Sequence, residues 1–375
     1  MLEQVGQALP GQGLFENPLL GFLIIWIPFI LFMFYGQRIQ TWMILNDVGR
    51  SLSKLEVMKN RARKEVIEYI SSQAGLQQDP AAAKIDQFLE YFTIMPVNLD
   101  PAGIVRKIEH VMTTRDDRVR EEIRRFTGVD DLVKVSKMEN MVEVATALNF
   151  IYKVVRHFYL MGKKTSSLYV LIQLQMLMPM ILQEADALMN AVDAIKKSQP
   201  IGDGIGAMVV GRMMLGLEKR RIAKDTVLGE TEYKGRHLYL IKAEGPGGNV
   251  GKPGEALERL IEEMGLRPKA IVMIDAALKL EGEKTGEVAE GVGAAIGGIG
   301  VDRYKIEEVA TRHKIPLYAV VIKQSIVEAI SVMLKEIAET SDKVLKIVTR
   351  IIEEKTEQGD RVVVVGVGNT LGVAQ

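Results

Sequence analysis

Two aspartates in this chain are placed where carboxylates do chemistry. Asp275 ends the apolar run of "KAIVMIDAAL", and Asp203 sits inside a glycine-rich turn, "QPIGDGIGAM". A carboxylate at the end of a buried strand loses hydration, which pushes its pKa up, and a second carboxylate nearby drives the two titrations apart. Such a pair can share one proton as acid and base, or hold a cation. Asp203 also has a purely structural use, as the cap of a helix opening at Gly204. Glu244 and Glu255 are second-rank acids, and Glu255 equally suits the first turn of a helix, where the dipole favours negative charge.

Glycine-rich loops surround these acids in sequence. "AEGPGGNVGKPGEAL" supplies Gly245, Gly247 and Gly248; "GVGAAIGGIGVDRY" supplies Gly297, Gly298 and Gly300; and the final "VVVVGVGN" supplies Gly366, Gly368 and Asn369. Glycine either permits a left-handed turn or lets a ligand reach bare backbone N–H groups. No Gly-Lys-Ser/Thr follows any of these loops, and none spells GxGxxG between a strand and a helix, so a nucleotide site is permitted but not indicated.

The elements that would carry these residues alternate. "HLYLIKAEG", "KAIVMIDAAL", "IPLYAVVI" and "RVVVVGVGN" read as four strands, apolar throughout, as expected for a parallel sheet buried on both faces. Amphipathic helices lie between them. The pattern predicts a three-layer α/β/α domain with a mainly parallel sheet over 198–375. Ligands of such sheets bind beyond the carboxyl ends of the strands, which is where the acids and glycine loops fall.

Upstream, 37–197 shows helical periodicity throughout and predicts an all-helical stalk domain. Asp100-Pro101 predicts the start of a helix. The charges that follow (Arg115, Asp116, Asp117, Arg118, Glu121, Glu122) predict a solvated face, with a partner-docking face as the alternative. "SSLYVLIQLQMLMPMILQEADALMNAVDAIKK" reads as a core helix kinked at Pro179, with Met176, Met178 and Met180 filling gaps. A membrane-surface or re-entrant element is the competing reading, because a hydrophobic segment precedes this region.

That segment, Leu19 to Gly36, carries no charge and approaches the length of a bilayer span. Glu3 and Glu16 precede it with no Lys or Arg, whereas Arg38, Arg50, Lys54, Lys59, Arg61, Arg63 and Lys64 follow. The positive-inside rule predicts a single-pass anchor in the cell membrane, with 1–18 outside and the bulk of the chain cytoplasmic. A cleaved signal would want the opposite flanks. Lys+Arg and Asp+Glu both number 48, so the basic excess of a nucleic-acid binder is missing. The chain has no cysteine, which excludes disulfides and thiol chemistry, and its four histidines show no metalloprotease spacing.

The stretches "PKAIVMIDAALKL" and "GGIGVDRYKIEEVATRHKIPLYAVVIKQSIVEAI" resemble the germination (spore) protease family and, more distantly, the hydrogenase-maturation endopeptidases. Ile274-Asp275-Ala276, Gly297–Gly300 and Ile315-Pro316-Leu317 match successive motifs of that family, with Val301-Asp302 standing where its loop asparagine would be. "IGDGIGAMVV" matches the second half of a further hallmark, whose first half appears only at the far end as "VVVVGVGN". The resemblance therefore implies a circularly permuted domain, with the last strand returning beside the Pro200–Asp203 turn. It implies catalytic roles for Asp203 and Asp275, or a metal-binding role in the maturases' manner, although their nickel histidine has no counterpart.

The complete layout resembles an archaeal membrane-anchored family of unknown function. The function implied is a membrane-anchored, cytoplasm-facing hydrolase, peptidase-like, acting on a protein substrate through the paired aspartates. A divalent metal is the candidate cofactor. The alternative is a non-enzymatic tethered scaffold or small-ligand sensor. The expected partners are the lipid bilayer, through Leu19–Gly36, and a protein substrate, with a homo-oligomer allowed and nucleic acid excluded.

Overall fold

The computed structural model describes residues 18–97, 103–298 and 300–374. The predicted extracytoplasmic segment 1–18 lies, apart from Pro18, outside the described residues. Five helices come first: α1 (Pro18–Ala74), α2 (Gln78–Leu89), α3 (Ile104–Thr127), α4 (Leu132–Thr165) and α5 (Leu168–Lys197). The uncharged N-terminal run and the polar stretch after Arg38 thus form one continuous helix of 57 residues.

The chain divides into two compact units, Met1–Glu56 with Ile151–Leu182, and Val57–Phe150 with Gln183–Gln375. In the first, Tyr152 hydrogen-bonds Glu56, and Gln175 Nε2 donates to Asp47 Oδ2 at 2.8 Å. In α5, Met178 is buried, but Met176 and Met180 are 75% and 62% exposed. The gap-filling role expected of these methionines is therefore corrected for Met176 and Met180, which face outward, and holds for Met178 beside Pro179. Among the described residues, α5 is the helix long and apolar enough to cross a membrane by length and composition, with 22% of its most apolar window buried.

The second unit carries a seven-stranded sheet: β1 (Lys219–Ala223), β2 (Thr226–Tyr233), β3 (Arg236–Ala243), β4 (Ala270–Leu278), β5 (Val288–Val292), β6 (Leu317–Gln324) and β7 (Arg361–Gly366). Their order is β1-β2-β3-β7-β4-β6-β5. β3, β7, β4 and β6 run parallel, while β1, β2 and β5 are antiparallel to their neighbours. The sheet is mixed, which corrects the mainly parallel expectation. Strands β1, β2 and β5 carry charged or glycine residues on exposed positions ("KRRIA", "TVLGETEY", "VAEGV"), so they lack the continuous apolar runs that mark the four central strands.

The helices of this part are α6 (Ile205–Met213), α7 (Pro253–Glu258), α8 (Val301–His313), α9 (Ile326–Ile330), α10 (Lys335–Ala338) and α11 (Ser341–Lys355). Alternation along β7 shows why two helical layers are needed. Val362 and Val364 join one core with Val209, Val210, Val344 and Val348 of α6 and α11. Val363 and Val365 join the other with Leu257, Ile306 and Val309 of α7 and α8. Successive strand residues point to opposite faces, so a run of valines buried on both sides demands cover on both sides.

The last strand in sequence is thus the fourth of seven in space, flanked by β3 and β4. β3 passes to β4 through α7 on one face, and β6 passes to β7 through α11 on the other. The carboxyl ends of β3, β7 and β4 therefore open on a crevice between diverging connections.

Candidate functional site

At that crevice α6 begins directly over the strand ends, its Ala207 N–H donating to Val367 O at 3.1 Å. The preceding 3-10 turn, Gly202–Gly204, carries Asp203. Gly204, not Asp203, occupies the N-cap of α6, and no side chain caps that helix. The Asp203 carboxylate turns instead to the end of β7, where Asn369 N–H donates to its Oδ2 at 2.7 Å. Gly368 makes this approach feasible: its φ is +119°, and a Cβ there would collide with the Asp203 carbonyl oxygen.

Asp275 ends the fully buried part of β4 and is 6% exposed. Its Oδ1 accepts from Ala276 N–H at 2.7 Å, and the Gly297 N–H also donates to it. Burial, and next the charge of Asp203, push its carboxyl up to about 8, against the pull of those two N–H groups. Asp203 is raised too, by burial, with the Asn369 N–H opposing. The two environments differ in kind: the charge of Asp203 adds to burial in raising Asp275, whereas Asp203 is raised by burial alone.

Both aspartates line a single cleft of about 650 Å³. From the glycine loops Gly248, Gly297, Gly298, Gly300, Gly368 and Asn369 line it as well. Gly245, Gly247 and Gly366 do not. A Cβ at Gly245 would collide with Val373 O, one at Gly247 would press on Ser136, and one at Gly366 would press on Gly206 O and Val210. Those three permit close packing beneath the loops. Glu244 pairs with Arg221 and Glu255 pairs with Arg259 at 2.5 Å, and neither reaches the cleft.

Asn369 is the clamp of the assembly. Besides donating to Asp203, it gives its Nδ2 to Gly248 O at 3.0 Å and accepts Leu371 N–H on Oδ1 at 2.8 Å. Asn140 of α4 reaches the same Gly248 O at 3.2 Å, and Ser136 Oγ meets Asn249 Oδ1 at 3.0 Å.

A wall of the cleft therefore comes from the helical half, which the sequence reading left out of the site. Arg120 of α3 binds Glu139 of α4 at 2.8 and 3.0 Å and Asp225 of the β1–β2 turn at 2.8 Å. Burial pulls the Arg120 guanidinium down, but its two carboxylate partners outweigh that and hold it above its usual value. Asp117 pairs with Lys224, and Lys305 with Glu109 at 2.6 Å. The charged run of α3 is thus split: Arg118 and Glu122 form an ordinary i, i+4 surface pair, whereas Arg115 and Asp116 line the cleft. Asp116, Asp117, Arg118 and Glu121 are exposed, as expected of a solvated face, while Arg115 and Glu122 are half-buried.

Asp302, at the start of α8, also lines the cleft and accepts Gly254 N–H at 2.9 Å. Burial raises its carboxyl, with that N–H and then Lys252 and Lys305 opposing. The motif "GVDRY" was the available signal for it. For Arg120, Glu139 and Asn140 no local spacing could have given warning.

Profiles of one family match nearly the whole chain. The protein of unknown function (DUF1512) N-terminal domain matches residues 22–198, and the domain of unknown function (DUF1512) C-terminal matches residues 201–374. The chain belongs to the DUF1512 family. No curated protein matches it. In this DUF1512 protein the cleft draws on both matched regions: Arg120, Glu139 and Asn140 fall in the N-terminal match, and Asp203, Asp275 and Asn369 in the C-terminal one.

The lining has eight carboxyl side chains against four Lys or Arg. That balance disfavours phosphate-rich ligands and suits a neutral or cationic one. Among the described residues no group of three or more His, Asp or Glu converges as a metal-binding set. Asp203 and Asp275 are two donors, fewer than such a set needs.

Proposed function

We propose that this DUF1512 protein is a membrane-anchored, cytoplasm-facing hydrolase, peptidase-like, with Asp203 as general base and Asp275 as general acid. The observation that carries the reading is the pairing of a buried carboxyl, Asp275, with a half-buried one, Asp203, in one walled cleft, each raised by loss of hydration. The placement of β7 at the centre of the sheet supports the permuted connectivity on which the spore-protease resemblance depends.

In the proposed reaction a water oxygen attacks a peptide carbonyl carbon. Asp203 takes one water proton, and Asp275 gives its proton to the carbonyl oxygen, leaving a tetrahedral diol. The diol then collapses: the C–N bond breaks, Asp203 returns its proton to the leaving nitrogen, and Asp275 recovers a proton from a hydroxyl. Both carboxyls end as they began. The lining glycines at 248, 297, 298 and 368 leave backbone accessible to an extended peptide, and the acidic excess favours a neutral or basic sequence.

The test is peptide-library digestion by the full chain in detergent, read by mass spectrometry, beside Asp203→Asn and Asp275→Asn. Cleavage by the wild type that each substitution slows by about 10²–10⁴ is the expected result. Folded variants that match the wild type in cleavage and in peptide binding would sink the reading.

A further inference from the structure

The unit formed by 18–56 and 151–182 has a charge pattern that the cleft does not explain. Its described residues include seven Lys or Arg and two acids, Asp47 and Glu56. Both acids are engaged between helices, Asp47 by Gln175 and Glu56 by Tyr152. From 144 to 183 there is no acid at all. The outward surface of this unit is therefore cationic and apolar.

The helix contacts fix where that surface lies along α1. Tyr152 meets Glu56, and the Tyr159 ring lies against Gly49, so α4 runs antiparallel to α1 in a constant register. The two residues between α4 and α5 turn the chain back, and Gln175 meets Asp47. Continuing that register puts Lys163 and Lys164 level with residues 44–45 of α1, and the 166–167 turn near residue 42. At ~1.5 Å per residue the turn stands ~9 Å, and the lysines ~12–13 Å, past Gly36, where the uncharged run ends. Headgroups occupy roughly the first 5–8 Å beyond the hydrocarbon, and surface charge acts over about a Debye length more.

At that level Trp42 and Tyr169 are 67% and 71% exposed, and Arg38, Lys163 and Lys164 are exposed beside them. Trp and Tyr favour the membrane–water interface, and each basic residue near an anionic leaflet contributes about 1 kcal/mol. We infer that the α4–α5 hairpin tip is a second membrane contact: Arg38, Lys163 and Lys164 engage anionic headgroups while Trp42 and Tyr169 sit among them. A second copy of this chain would bring like charges together, so an anionic lipid surface is the occupant the charges fit. This inference rests on α1 crossing the bilayer.

The absence of cysteine allows single-site labelling of the full chain in lipid nanodiscs. Nitroxide labels at Ile27→Cys, Ser166→Cys and Glu339→Cys report the anchor, the tip and a solvent-exposed control. Discs of phosphatidylcholine are compared with discs about a third phosphatidylserine. The expected result is an Ile27 label inaccessible to a water-soluble relaxation agent in both lipids. The Ser166 label should be shielded severalfold relative to Glu339 in the anionic discs, and Lys163→Glu/Lys164→Glu should abolish that shielding. An inserted Ile27 label with a Ser166 label as accessible as the control overturns the hairpin contact alone. Shielding insensitive to charge reversal, or appearing only with two chains per disc, also overturns it. An accessible Ile27 label overturns the anchor and the hairpin contact together.

Discussion

Asn369 N–H donates to Asp203 Oδ2 at 2.7 Å across 166 residues of sequence. This bond ties the segment after the central strand to the turn that opens α6. It also withholds one oxygen lone pair of Asp203 from water and favours the charged form of the carboxyl, which suits a base more than an acid.

Activity of the proposed dyad should therefore fall at both ends of the pH range. Asp275 must hold its proton, so turnover declines as pH rises through about 8. The acid limb belongs to Asp203, whose pKa is also raised, and both apparent values belong to the coupled pair. A kcat/KM profile measures this, and a flat profile from pH 5 to 9 would exclude the dyad.

Stability carries the same signature. The folded pKa of Asp275 lies above its unfolded value, so the native state loses stability as pH rises from about 4 to about 8. Asp275→Asn removes that loss. Chemical denaturation at pH 9 should show the variant more stable by at least ~1.4 kcal/mol, with the difference shrinking toward pH 4.

Gly368→Ala should be costly out of proportion to one methyl group. The left-handed φ and the collision with Asp203 O act together, so a loss of about 1–3 kcal/mol is expected in thermal unfolding. A wild-type melting temperature would mean that the loop after β7 is slacker than described.

Arg120→Ala leaves Glu139 and Asp225 without their shared cation. The arginine is partly exposed, so a loss of ~1–3 kcal/mol is expected instead of the full cost of breaking a buried pair. Hydrogen exchange should quicken in α3 while β7 and β4 keep their protection. Uniform loss across both would show that the helical wall is not a separable layer.

Lys242 offers an independent check on the core. Its side chain is fully buried on β3, and its Nζ donates to Ala243 O at 2.9 Å. Burial, and next Lys219, push the amine down to about 8, with Glu244 opposing. The penalty is complete below that pH and fades as pH rises to the unfolded value near 10.5. Lys242→Met should accordingly stabilise by up to ~3 kcal/mol at pH 7 and by little above pH 10.5. An equal effect at both pH values would point to packing instead of charge.

The central strands were legible because both of their faces are buried, and a run such as Val362–Val365 has no other soluble use. β1, β2 and β5 were not, since edge and near-edge strands mix charge with β-branched residues and lose the signature. Asp203 and Asp275 were visible as acids beside glycine turns and strand ends. The helical wall was not: Arg120 and Glu139 are surface-type residues in sequence, and only tertiary contact, including that of Arg120 with Asp225 of the β1–β2 turn, turns them inward. Met176 and Met180 of α5 misled for the opposite reason, since apolar spacing alone does not say which face meets protein.

The central position of β7 also constrains how this protein is made. When a ribosome has translated everything through β6, the chain holds two part-sheets whose facing edges, β3 and β4, have no partner strand between them. Unpaired edges of that kind invite pairing with other chains. The cleft acids would have no Asn369 to organise them during that interval, so peptide-cutting machinery of the proposed sort would stay inert until the middle strand had slotted home.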